Sequence, residues 1–405
     1  MSPEKTFDPS RETLFSSLRA LPRAAWILFF GTFLNKFGTF VVPFLTLYLT
    51  RRGYTVGEAG LAIGAYGAGN MTASFVGGHL ADYLGRRKTI VLSMFSGAAM
   101  MLLLSQAREY LIILLFALLA GLTNESYRPA SSALLADVVP PERRITAFAT
   151  LRMAFNAGFA FGPAMAGFIA AYGFFWLFAG DAATSALYGL VALFLLPRIL
   201  PTPQNTVSWG RALEVVRRDY QLHQLILANF ATGILFCQPA STFGLYVTHQ
   251  GFSGAVYGTV LSLNGALVVL AELPLTTVTR KFLARRVMAI GYTLIGIGYS
   301  LNAFAHTIPA LVICMIIFTL GEMIAIPTAM AYLANLAPPE MRGRYLGIAG
   351  LSWSSAAIIG PGFGMKLFTA APATYWLSCA ALGLFAATVI SVPAPKPMPL
   401  PEPTK

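Results

Sequence analysis

Charge is what this chain has least of. It holds 16 acidic and 28 basic residues in 405, so 11% of the sequence is charged against 56% hydrophobic, with a mean hydropathy of +0.67. So little polar surface cannot cover a water-soluble particle of this length, and the main solvent of the fold must be lipid. The three cysteines, Cys237, Cys314 and Cys379, sit inside apolar segments without metal-ligand spacing, which argues against disulfide or metal chemistry. The four histidines, His79, His223, His249 and His306, are scattered, and no nucleophile-base pattern accompanies them, so the sequence gives no sign of an enzyme, a cofactor or a bound metal. The alternating ten-residue runs of a membrane β-barrel are missing too. The net charge of +12 then reads as a signal for orientation and anionic lipid, not for nucleic acid.

What is present is long apolar runs. Crossing about 30 Å of hydrocarbon takes roughly 20 residues, and runs of that order lie near 24–49, 58–81, 88–106, 110–137, 145–171 and 174–196, then 223–249, 254–278, 286–305, 308–337, 343–369 and 372–392. In lipid each must satisfy its own backbone hydrogen bonds, so each is expected to be a helix. The second six repeat the first six. Leu47-Tyr-Leu-Thr-Arg-Arg-Gly-Tyr54 returns as Leu245-Tyr-Val-Thr-His-Gln-Gly-Phe252, an offset of 198 (245 − 47). The same offset relates Gly60 to Gly258, Pro129 to Pro327, Pro140-Pro141-Glu142 to Pro338-Pro339-Glu340 and Gly162-Pro163 to Gly360-Pro361. A duplicated half with a parallel repeat is the plan of a secondary transporter whose halves enclose a substrate path.

The expected organisation is an N-terminal tail over 1–23, one six-helix bundle over 24–196, a linker over 197–222 with a short amphipathic helix, a second bundle over 223–392, and an extended, disordered tail over 393–405. The first apolar segment is too long for a signal-peptide core, so the tail before it should stay attached. Arg86, Arg87, Lys88, Arg143, Arg144, Arg285, Arg286, Arg342 and Arg344 fall on one side of the membrane, and Arg51, Arg52 and Arg108 on the other. The positive-inside asymmetry predicts cytoplasmic termini in a multi-pass protein of the cell membrane, a bacterial inner membrane.

Two motifs carry a resemblance. Gly78-His79-Leu80-Ala81-Asp82-Tyr83-Leu84-Gly85-Arg86-Arg87-Lys88, between the second and third segments, resembles the G-x-x-x-D-x-x-G-R-R-K signature of the major facilitator superfamily. The resemblance implies two six-helix bundles related by a pseudo-twofold axis, with 12 transmembrane helices, and a conformational latch at Gly78, Asp82, Gly85, Arg86 and Arg87. The repeat copy keeps a basic pair at Arg285-Arg286 but has Arg280 where Asp82 maps. In the fifth segment, Gly158, Gly162, Pro163 and Gly167 resemble the G-x-x-x-G-P-x-x-x-G motif of the antiporter branch. Their small side chains suit close helix packing, with or without directional meaning.

Ionisable groups at bilayer depth cost roughly 2.5–3.5 kcal/mol each, which makes each a functional candidate. Glu322, mid-segment with no basic residue within a helical turn, is expected to carry a proton, with Glu125 as partner and Asp181 as a further proton-coupling acid. Asp181 lies toward the outer side and Glu272 toward the inner, so both rank below the central groups. Arg128, three residues from Glu125, shares its helical face. Asn124 holds the repeat position of Glu322 (322 − 198). The substrate-binding set expected around these groups is Arg128, Lys36, Asn35, Tyr127, Phe155, Trp353, Asn124 and Arg152.

A second resemblance competes. Gly321-Glu322 with Pro327, and Arg128-Pro129, are similar to the tenth and fourth helices of proton-coupled peptide transporters, with Asn35-Lys36-Phe37 where that family reads Glu-Arg-Phe. The preferred expectation is a monomeric drug:proton antiporter that exports hydrophobic or cationic small molecules, with protons and membrane lipids as further partners. Uptake of peptides or other metabolites, and lipid flipping, stay open as alternatives.

Overall fold

A computed structural model describes residues 14–170, 172–198, 209–239, 242–252 and 254–394, and among these every regular element is helical. The outer parts of both tails and the middle of the linker, 199–208, lie outside the described residues. A short α1 (Leu14–Arg19) precedes a first crossing built from α2 (Arg23–Phe37) and α3 (Leu45–Arg51). The N-terminal bundle continues with α4 (Val56–Tyr83), α5 (Arg86–Gln106), a fourth crossing in two pieces, α6 (Tyr110–Glu125) and α7 (Tyr127–Val138), then α8 (Arg144–Ala170) and α9 (Phe174–Leu195). A linker helix, α10 (Trp209–Arg218), leads to the second bundle, whose first crossing is again split into α11 (Tyr220–Cys237) and α12 (Thr242–His249). It is completed by α13 (Gly254–Thr279), α14 (Ala284–Ser300), α15 (Ile308–Leu336), α16 (Arg342–Ala370) and α17 (Pro372–Ser391).

The splits are departures from the continuous helices expected over 24–49, 110–137 and 223–249. Their causes are local. Pro43 lies within the first break and Pro129 follows the second; a proline has no N–H to donate and its ring collides with the carbonyl four residues back, which for Pro129 is that of Glu125. The fourth crossing therefore bends at the residues that carry its charge.

Among the described residues, nine helical stretches are long and apolar enough to cross a bilayer by length and composition. The other three crossings are α2 with α3, α4, and α8. The first is broken, the second is rich in glycine, and the third carries Arg144 and Arg152. α4 and α8 also form the seams between the bundles, where small and polar residues serve contact better than apolar ones. Within each bundle, packing is close where glycine permits it: a Cβ on Gly321 would lie 2.6 Å from the carbonyl oxygen of Gly291, joining α15 to α14. Large side chains fill the rest, with Phe148 and Tyr188 fully buried in the first bundle and Tyr292 and Tyr299 in the second.

The bundles meet along two seams related by the 198-residue repeat. One joins α4 to α16 and the other α13 to α8. On α4, Ser74 and Gly78 press on α16: a Cβ on Gly78 would lie 2.5 Å from the Gly343 carbonyl oxygen, and one on Gly350 would lie 3.1 Å from the Ser74 hydroxyl. Gly60, Gly64 and Gly67 occupy the same face of α4 by helical spacing, yet a Cβ on any of them would meet nothing within 4 Å, and the same holds for Gly258 and Gly265 on α13. The bundles are joined at the end bearing the basic loops and spread apart at the other.

Candidate functional site

Between the seams lies a cavity of about 400 Å³, walled by Glu125, Arg128 and Phe155 from the first bundle and by Phe236, Glu322 and Trp353 from the second. Two charged groups flank it. In the first, Lys36 Nζ lies 2.6 Å from Glu125 Oε1, and Arg128 Nη1 lies 3.5 Å from Glu125 Oε2. Both cations also sit over the Phe155 ring, at 5.1 Å for Lys36 and 5.3 Å for Arg128, where the π face attracts positive charge. The bend at Ser126 puts Glu125 against the cavity and leaves the Arg128 side chain 53% exposed there. Tyr127 is buried on the same wall, with its ring 5.8 Å from Lys36 Nζ.

In the second group one guanidinium serves two carboxylates. Arg152 Nε lies 2.9 Å from Glu272 Oε2, and its Nη2 lies 2.8 Å from Glu322 Oε1. Asn264 donates from Nδ2 to Glu322 Oε2 at 2.6 Å and to the Thr319 hydroxyl at 3.0 Å. Arg152 comes from the first bundle and both acids from the second, so these bonds cross the seam. The expectation of an isolated Glu322 is thereby corrected: its own helix brings no base, and α8 supplies one. Glu272, ranked low as lying toward the inner side, stands beside it.

The other predicted residues separate by depth. Lys36, Asn35, Asn124 and Asp181 are buried behind the cavity wall, with Asn35 turned toward the Met94 sulfur. Asp181 lies near the break in the first crossing, and its buried Oδ2 has no hydrogen-bond partner. Gly158 and Gly162 of α8 allow close contact with α2: Cβ atoms there would each lie 2.6 Å from a carbonyl oxygen, of Phe33 and Phe37 respectively. Pro163 and Gly167 fall within the same helix.

At the closed end, Asp82 Oδ1 and Oδ2 accept the backbone N–H groups of Gly343 and Arg344 at 3.0 and 2.9 Å. A carboxylate thus caps the positive N-terminus of α16 from the opposite bundle. Gly85 turns the chain with φ of 94°, a left-handed value that suits glycine. Arg86 reaches Asp82 at 3.2 Å, Asp137 at 3.1 Å and the Pro339 carbonyl at 3.0 Å, while Arg87 donates to Leu193 within its own bundle. Asp137, absent from the sequence-derived set, also pairs with Arg342, and Arg144 with Asn335. These two contacts are repeat mates: 144 + 198 = 342 and 137 + 198 = 335. That arithmetic was the available signal for Asp137. At the other seam Arg280, in the place of Asp82, donates to the buried Ser17 hydroxyl of α1 at 2.7 Å.

The Major Facilitator Superfamily model matches residues 28–258 and 239–405. Multidrug resistance protein MdtH of Aeromonas salmonicida is 28% identical over 378 residues, 92% of this chain and 95% of its own. A Na(+), Li(+), K(+)/H(+) antiporter of Planococcus maritimus is 25% identical over 364 residues, 81% and 85% of the two chains. A bacterial homologue of the iron transporter ferroportin, solved in an outward-facing state, superposes with a TM-score of 0.77 at 14% identity, covering 91% of this chain and 98% of that one. With a duplicated six-helix bundle, one cavity between the copies and a family match along nearly its whole length, this multi-pass membrane chain belongs to the major facilitator superfamily of transporters.

Proposed function

We propose that the protein exports hydrophobic, cationic small molecules from the cytoplasm in exchange for protons, as a monomer with both termini cytoplasmic in a bacterial inner membrane. The observation that carries this reading is the seam group in which two buried carboxylates share one arginine. With both acids ionised the group holds one uncompensated negative charge, and a proton or a cation neutralises it. Taking up a proton weakens one bond between the bundles, so occupancy and conformation are linked. A multidrug protein and a cation/proton antiporter among the relatives agree with this chemistry. The aromatic wall of Phe155, Phe236 and Trp353 suits an apolar ligand. With the basic loops on the cytoplasmic side, the cavity opens outward, and the Asp82 contacts form the inner latch.

One observation favours a second reading, uptake of a peptide or other anionic metabolite. Arg128 presents a half-exposed guanidinium to the cavity, and that group suits a carboxylate. Binding of a lipophilic cation and of a dipeptide to wild type and to Arg128→Ala, measured by calorimetry, separates the two. Export predicts cation binding that survives the substitution; dipeptide binding that is present in wild type and lost in the variant would replace export by uptake.

A further inference from the structure

The two charged groups differ in their sums. Lys36 and Arg128 face Glu125, two cations for one anion. Arg152 faces Glu272 and Glu322, one cation for two anions. Burying an unpaired carboxylate is costly, so the group at the α8–α13 seam is where a proton is required. The oxygens of its two acids are served unequally. Glu322 has a donor on each, Arg152 on Oε1 and Asn264 on Oε2. Glu272 has Arg152 on Oε2 and no partner on Oε1, in a side chain that is 0% exposed. A carboxylate with donors on both oxygens is stabilised as the anion; one with a dry, unserved oxygen is relieved by a proton there.

We infer, resting on the exchange reading above, that the exchanged proton binds Glu272 at Oε1, while Glu322 remains a carboxylate and positions Arg152. A proton from the water of the cavity adds to Oε1, turning Glu272 from anion to neutral acid and the group from one net negative charge to zero. Arg152 keeps its full-strength bond to Glu322, and its bond to Glu272 becomes one to a neutral acid. The charged groups that face Glu272 are Arg152 from α8 and Glu322 from α15. α1 and α12 also pack on α13, and their charged or titratable end residues, Arg19 and His249, are exposed to solvent at opposite ends of the bundle. α13 itself carries no other acid or base of the Asp, Glu, Lys, Arg or His kind. The repeat accounts for the uniqueness of the site: Glu272 maps to Ser74 and Arg152 to Gly350, so the other seam has neither charge.

The test is infrared difference spectroscopy of the full chain in lipid nanodiscs across a pH titration, with Glu272→Gln, Glu322→Gln and Asp181→Asn. A protonated acid absorbs in the carbonyl region, apart from the bands of carboxylates, so a band that appears there as the pH falls marks the side chain that gains the proton. The inference expects that band in wild type, in Glu322→Gln and in Asp181→Asn, and its loss in Glu272→Gln. Should Glu272→Gln fail to fold, Glu272→Asp is expected to shift the band instead of removing it. A band lost with Glu322→Gln or Asp181→Asn, or missing from wild type at every pH, overturns the assignment. Proton-driven flux in liposomes of the same wild-type protein reads the exchange proposal separately: its absence sinks that proposal and leaves the band assignment standing.

Discussion

The two seams between the bundles descend from one duplicated stretch and have taken opposite chemistries. Where α4 meets α16, Ser74 and Gly350 touch through small atoms, and a carboxylate on the last turn of α4 caps the partner helix through its backbone. Where α13 meets α8, the same two positions hold Glu272 and Arg152 in a buried ion pair, and the capping position holds Arg280, turned to Ser17. An arginine cannot cap a helix N-terminus, since both are positive, so the second seam lacks the cap and carries a buried ion pair instead. The first seam is suited to opening and closing without a change in charge. The second is suited to responding to one. A duplicated transporter can therefore divide the mechanical and chemical parts of its cycle between twofold-related contacts.

Substitutions on both seams break or sharpen that contrast. The largest effect is expected from Arg152→Ala, which strands two buried carboxylates; removing one partner of such a group costs about 3–5 kcal/mol. Thermal unfolding in detergent should show the loss. Arg152→Gly with Glu272→Ser, which transplants the other seam's pair, should recover part of it, Glu322 remaining without its arginine, and a double variant no more stable than the single would deny the two seams their equivalence. Asp82→Asn comes next. It keeps the shape of the cap and removes its charge, worth about 1–2 kcal/mol in a partly buried helix cap, which is roughly a tenfold change in the ratio of the two cavity orientations. Labelling rates of single cysteines placed at the two ends of the cavity measure that ratio. The smallest effect on the described state belongs to Gly60→Leu or Gly258→Leu, where a new side chain meets open space. Stability of this state should change by less than about 0.5 kcal/mol, while closure at that end is obstructed. Spin-label distances across the spread end should then narrow to one population, and two populations as in wild type would show that these faces do not approach.

Much of this was legible in the sequence because duplication writes it twice. The offset of 198 relates the two bundles, and the Asp82 motif marks one side of the contact between them. The partner of Asp82 was not legible, since Gly343 is 261 residues away and contributes only a backbone N–H, which no side chain advertises. Glu322 looked solitary for the same reason: helical spacing reveals neighbours on one helix, and Arg152 lies 170 residues distant on another. Glu272 was underrated because its depth was judged from segment ends, whereas its place is set by the face it shares with Gly258 and Gly265 at seven-residue steps. The breaks at residues 38–44 and at Ser126 were missed where hydropathy stays high across a proline, although Pro43 and Pro129 mark them.

The most direct test of the account is accumulation of a fluorescent lipophilic cation in proteoliposomes under an imposed pH gradient, comparing wild type with Glu272→Gln. The account predicts gradient-driven accumulation by wild type and its loss in the variant, whose seam group carries no net charge at any pH and so cannot exchange a proton for the cation. Undiminished gradient-driven accumulation by Glu272→Gln would contradict the claim that the charged seam couples the proton to transport.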